Sequence, residues 1–186
     1  MAEVQVENIV VSFSVAEVLD LPKIAVDIPD AQYNPDEVPA VVLQFTKPRS
    51  MAAVSSTGAV VVTGPKSMDE VHEVIKMVTD RLNLIGVESQ EISDITVKNV
   101  TVSTDLRQNL KLRSLARSLG SADFDPKVFP GLIYKGDDPN TVILLFDSGK
   151  IVCNGTNLED VTVALENMLE KLLSFGIKKE EDVCPK

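Results

Sequence analysis

The chain has 186 residues and a mass of 20.2 kDa, with 28 acidic and 18 basic side chains and a formal charge of −10. That length fits one ordinary domain or two small ones, and 44% hydrophobic with 25% charged residues supports a folded core and excludes a disordered polymer. No stretch approaches the roughly 20 apolar residues of a membrane helix. The start, MAEVQVENIV, lacks a secretory pattern, and Cys153 and Cys184 are too few for a disulfide scaffold, so a reducing cytoplasm is the expected location. The acidity argues at first sight against nucleic acid, because generic DNA binders show a basic footprint.

In chain order, Val4–Ser14 is rich in β-branched residues and reads as a strand, with Ile9, Val11 and Phe13 on one side and Asn8, Val10 and Ser12 on the other. Val18–Ile28 carries a weak helical pattern through Leu21, Ile24 and Ile28. Ala31–Pro35 reads as a short extended piece and turn. Strands follow at Ala40–Phe45, Met51–Ser55 and Ala59–Thr63, separated by turns at Pro48–Arg49 and Ser56–Gly58. A long helix then opens with the capping-box spacing Ser67…Glu70. It keeps Val71, Val74, Ile75, Val78, Leu82 and Ile85 on one face and stops at Gly86.

The same plan then recurs. A shift of 91 residues aligns Glu7–Glu70 with Lys98–Val161 without a gap, pairing Asn8/Asn99, Ser12/Ser103, Pro35/Pro126, Pro39/Pro130, Gly58/Gly149 and Gly64/Gly155. Asn157 caps the second long helix, and Val161, Leu165, Met168, Leu169 and Leu172 form its stripe before Gly176. The chain therefore divides into a first repeat over 1–91, a second over 92–177 and an acidic tail over 178–186. Short turns between consecutive strands make antiparallel pairs, and one amphipathic helix per repeat covers one sheet face. The expected architecture is α+β: two pseudosymmetric repeats that form a ten-stranded antiparallel sheet with its helices on one face.

The uncovered face is where function is expected. Strand alternation assigns Asn8, Val10, Ala53, Ser55, Val61 and Thr63 to it in the first repeat, and Asn99, Thr101, Leu144, Phe146, Val152 and Asn154 in the second. This surface is apolar, nearly uncharged and carries a few amides and hydroxyls. A patch of that kind marks an interaction site. Two symmetric asparagines among small apolar groups suit a minor groove, whose pattern of acceptors is degenerate.

AQYNPDEVPAVVL in the first repeat, and FDPKVFPGLIY with LLFDSGKIV in the second, resemble the TATA-box-binding protein family over Val4–Ile177. A start directly at the first repeat is similar to the archaeal form. The resemblance implies a two-repeat pseudosymmetric saddle, a ten-stranded curved antiparallel sheet with helices on the convex face, and a general transcription initiation factor that binds the TATA box in the minor groove, bends it, and recruits transcription factor B and, indirectly, RNA polymerase. It implies wedges at Phe129 and Phe146, base contacts from Asn8 and Asn99, and phosphate contacts from Ser148, Lys150 and Lys135. Further DNA contacts fall on Val10, Val61, Thr63, Thr101, Leu144, Val152 and Asn154. The second-repeat turn, with Asp125, Lys127 and Val128, is the implied contact for factor B.

The first repeat departs from this pattern. Its two phenylalanine positions are Val38 and Ser55, its turn lysine is Ala59, its phosphate-reaching arginine is Gln44, and a sheet leucine is Ala53. Val38 retains some area to press on a base step; Ser55 does not. Weaker or more asymmetric binding follows. The alternative is a specialised paralogue acting mainly as a protein-interaction module with weakened bending, and a homodimer through the free face is a further partner in the absence of DNA.

Catalysis finds little support. His72 is the single histidine and has no partner in the second repeat, Cys153 alternates into the core, and Cys184 lies in the tail. Asp36–Glu37 and Glu180–Glu181 are adjacent carboxylates, not an opposed acid/base pair. Neither a metal nor a cofactor is expected. The charge is split: residues 1–91 hold 6 basic and 14 acidic groups, and residues 92–186 hold 12 and 14. The predicted DNA face stays nearly neutral, and the basic groups favour the second repeat.

Overall fold

The computed structural model describes residues 4–92, 94–136 and 138–177, so Cys184, Glu180–Glu181 and the expected tail lie outside the described residues. Among the described residues there are ten strands and four helices. The first set is β1 (Gln5–Ser14), α1 (Leu21–Asp27), β2 (Gln32–Tyr33), β3 (Ala40–Thr46), β4 (Arg49–Ser55), β5 (Ala59–Thr63) and α2 (Met68–Leu84). The second is β6 (Thr96–Asp105), α3 (Leu112–Leu119), β7 (Ala122–Asp123), β8 (Leu132–Tyr134), β9 (Val142–Leu145), β10 (Lys150–Gly155) and α4 (Leu158–Ser174).

Two compact units emerge. Glu7–Asn99 forms the first, and the remaining described residues form the second. In the first, the strands lie in the order β2-β3-β4-β5-β1; in the second, β6-β10-β9-β8-β7. The pairs within each unit are antiparallel, as short connections require.

Alternation fixes the core. In the first unit Ile9, Val11, Phe13, Val41, Leu43, Phe45, Ala52, Val54, Val60 and Val62 are buried beneath α2, which contributes Val71, Val74, Ile75, Val78 and Leu82. In the second unit Leu132, Tyr134, Ile143, Leu145, Ile151 and Cys153 are buried with Val161, Leu165, Met168 and Leu172 of α4. Both long helices are capped as expected: Ser67 accepts from the Glu70 N–H at 3.1 Å, and Asn157 accepts from the Asp160 N–H at 2.8 Å.

Two element starts differ from the expectation by more than the one-residue shifts seen at other starts, and the repeat offset changes in a way that matters to the alignment. Helix α1 begins at Leu21, not Val18, because the Asp20 carboxylate accepts from the Lys23 N–H and Pro22 sits in the first turn. Strand β4 begins at Arg49, which pairs with Thr46, so the hairpin turns at Lys47–Pro48. The 91-residue offset falls to 90 at the long helices, since Ser67 matches Asn157. One residue fewer separates Gly155 from its cap than separates Gly64 from Ser67.

Cys153 is fully buried in β10. Burial, and then the negative charge of Asp138, push its thiol from 9.0 up to about 11, so it stays protonated and unreactive at neutral pH. His72 is exposed, and its Nδ1 faces the Met68 carbonyl at 2.7 Å. No described helix is long and apolar enough to cross a membrane.

Candidate nucleic-acid interface

The sheet face away from the long helices is built from the residues that alternate with the core. In the first unit Asn8, Val10, Ala53, Ser55 and Thr63 are half-buried and Val61 is exposed. Strand register sets Val42, Ala53, Val61 and Ser12 in one row, and Gln44, Met51 and Thr63 in the next. In the second unit Thr101, Leu144, Phe146, Val152 and Asn154 are half-buried. Its rows are Ile133, Leu144, Val152 and Ser103, then Val142, Asn154 and Thr101. Asn99, in β6 and grouped with the first unit, is half-buried as well. Val42, Met51, Ile133 and Val142 belong to these rows although the sequence reading did not name them. The alternation that found Ala53 and Leu144 also marks them.

Hydrogen bonds hold polar groups on both faces. Asn8 donates from Nδ2 to Thr63 Oγ1 at 3.1 Å, and its Oδ1 accepts from the Gly64 N–H at 2.7 Å. These bonds orient the amide from both ends. In the second unit the Thr101 hydroxyl donates to Asn154 Oδ1 at 2.7 Å, directly across the β6/β10 ladder. Val10 and Thr63 occupy the matching positions in the first unit.

The contrast is sharpest at the sheet end. Phe129 and Phe146 are half-buried and meet edge to face, with ring centroids 6.0 Å apart and planes at 64°. Both rings rest against Gly131. A Cβ there would lie 2.7 Å from Phe129 Cε1 and 3.1 Å from Phe146 Cε1, so FPG supplies one ring and the seat for both. In the first unit the same three positions are Val38, Ala40 and Ser55. Val38 is 47% exposed, and the Ser55 hydroxyl pairs with Thr57 Oγ1 at 2.8 Å. The backbone turn is nonetheless shared: the Val38 N–H donates to the Asn34 carbonyl, as the Phe129 N–H does to that of Asp125. Sequence reading found the missing rings but not the filled seat, which only the close approach to Gly131 reveals.

The second-repeat turn holds Asp125, Lys127 and Val128, all exposed. The Asp125 carboxylate accepts from the Lys127 N–H at 3.0 Å, so this acid also shapes its own turn. At the β9–β10 hairpin Ser148 and Lys150 are exposed, and the Ser148 hydroxyl accepts from the Lys150 N–H at 3.4 Å. Lys135 is exposed just beyond β8. At the corresponding positions the first unit has Thr57, Ala59 and Gln44, none of them a cation. Among the described residues no group of three or more His, Cys, Asp or Glu side chains is placed to hold a metal ion.

Antiparallel strands covered by helices on one face and bearing an uncharged apolar surface on the other recur in both units, the class of α+β fold built from a duplicated repeat. The family model for transcription factor TFIID, or TATA-binding protein, matches residues 3–85 and 94–175, and the chain belongs to that family. TATA-box-binding protein 2 of Haloferax volcanii is 38% identical over 177 residues, covering 94% of this chain and 95% of its own. The TATA-box-binding protein of Thermococcus sibiricus is 37% identical over 180 residues, covering 96% and 97%. Among solved structures, the Methanococcus jannaschii TBP aligns with a TM-score of 0.82 at 31% identity, covering 92% of this chain and 99% of that one. This agreement supports the expected α+β class of two repeats.

Proposed function

We propose that this chain binds the minor groove of a TATA element through the strand faces of both repeats and bends it chiefly at the end met by Phe129 and Phe146. The observation that carries this reading is the ring pair on Gly131, half-buried, seated on a glycine and left uncovered on a neutral face. Inserting an apolar wedge unstacks a base step at a cost of a few kcal/mol, offset by the contacts a bent duplex gains; the TATA-binding family is a known instance. Asn8 and Asn99 contact base edges. Val10, Val61, Thr101, Leu144, Val152, Thr63 and Asn154 supply the surface between them, and Lys135, Ser148 and Lys150 reach phosphates. Val38 presses on a step at the other end with less area. The Asp125–Val128 turn receives transcription factor B, and RNA polymerase follows through that factor.

The test is a titration of a fluorescent TATA duplex at two salt concentrations, with and without factor B. Binding that strengthens with factor B and a bend smaller than that of a two-wedge relative support the reading. An ordinary, symmetric bend with tight binding in the absence of factor B contradicts the asymmetry, and no preference for TATA over a scrambled duplex contradicts the reading as a whole.

A further inference from the structure

The helix-covered side of the second unit carries a cleft that the strand-face reading leaves unused. In the first unit the last core residue of β3 is Phe45, 5% exposed, with the Arg81 guanidinium of α2 4.7 Å from its ring centroid. The counterpart of Phe45 is Gly136. The second unit keeps one aromatic nearby, Tyr134, which stands two residues earlier and matches Leu43. The Lys171 ammonium, in place of Arg81, donates to the Tyr134 hydroxyl at 2.6 Å and lies 5.1 Å from that ring. On the helix, Ala164 and Asn167 replace the larger Val74 and Met77.

The lost phenyl ring and the receding helix wall accompany a cleft of about 380 Å³ between α4 and the β8–β9 connection. Its apolar lining includes Tyr134, Ile143, Val163 and Ala164. Asp138, Glu159 and Asp160 line it too, against one cation among the described lining residues, Lys171, which is engaged by Tyr134. The Asp160 carboxylate accepts a hydrogen bond from the Asn157 side-chain amide. A space beside a position where the other repeat holds a phenylalanine, surrounded by excess negative charge, selects a flat apolar group with a positive neighbour.

We propose that this cleft docks an aromatic side chain flanked by lysine or arginine on a partner protein. Because α4 packs on the opposite side of β10 from Val152 and Asn154, the cleft stays open while the strand face is occupied.

The experiment follows the full-length, isotopically labelled protein by NMR during titration with acetyl-Lys-Phe-Arg-amide and, separately, acetyl-Lys-Ala-Arg-amide. Expected are saturable shifts at Ile143, Val163, Ala164 and Lys171 with the phenylalanine peptide, at least tenfold tighter than with the alanine peptide. Gly136→Phe, which returns the first unit's ring, removes the response; Ala164→Leu fills the same space from the helix and serves if Gly136→Phe does not fold. Asp138→Asn with Glu159→Gln weakens binding several-fold and flattens its salt dependence. Saturable shifts that persist with an excess of TATA duplex place the partner on the helix side. An absence of saturable shifts, an equal response to both peptides, or retention of binding in the filled variants overturns the proposal, whatever the DNA titration shows.

Discussion

The two repeats share a scaffold and differ at its edge. In the second, Phe129 and Phe146 close over Gly131; in the first, Val38 and Ser55 flank Ala40 on the same backbone turn. The three changes are coupled by geometry, because a ring pair needs a residue without a Cβ beneath it, and a position without rings does not. The cations follow the rings: Lys135 and Lys150 in the second repeat face Gln44 and Ala59 in the first. The second repeat carries the ring pair and cations at these positions, and the first carries neither there. Alternation, capping and hairpin closure are common to the two, so at this edge the repeats differ in side chains and not in fold.

The largest effects test the shared scaffold. Leu82→Ala and Leu172→Ala remove fully buried, matching helix residues, and each is expected to cost about 2–5 kcal/mol in denaturant unfolding. A large loss in one repeat and none in the other breaks the equivalence. Next come the wedges. Phe146→Ala is expected to weaken TATA binding by about ten- to a hundredfold in fluorescence anisotropy, while Ser55→Ala changes it by less than about twofold. Equal losses remove the asymmetry.

Restoration sharpens the same point. Val38→Phe, Ala40→Gly and Ser55→Phe together are expected to increase the bend seen by energy transfer across the duplex ends. The two phenylalanines without Ala40→Gly gain less, since the Cβ of Ala40 occupies the seat. Smaller is the phosphate term: Lys150→Gln lowers the slope of log affinity against log salt by about one, and Ala59→Lys raises it by about one.

A last contrast, outside the neutral range of pH, is a pH dependence carried by one repeat. Cys153 has its thiol raised from 9.0 to about 11, where the first repeat has Val62. A folded-state pKa above the unfolded one stabilises the protein fully below pH 9, and that stabilisation disappears as pH rises through 11. The thermal midpoint therefore drops between those values, and Cys153→Val flattens that part of the curve.

Much of this was legible in the residue order. The period-2 pattern of β1, β5 and β10 separates Val11, Val60 and Ile151 from Asn8, Val61 and Val152 with no tertiary information, because a strand can bury only one face. Ser67 and Asn157 announce their helices by capping chemistry. Other features depend on contacts between distant segments. The role of Gly131 appears only when Phe146, from the next strand, is brought against it. The turn-forming role of Asp125 and the cleft beside Gly136 require the loops to be placed. Val18 fits a helical spacing yet precedes the Asp20 cap, which decides where α1 can begin.

The strand alternation also has a consequence for inheritance. Val38, Ser55 and Val61 stand outside the packed interior, so exchanging them leaves the buried layer of Val41, Val54 and Val60 untouched. Each repeat can thus revise what it touches while keeping what it is made of, and a duplicated chain can carry one half as a conserved tool and the other as a place to experiment.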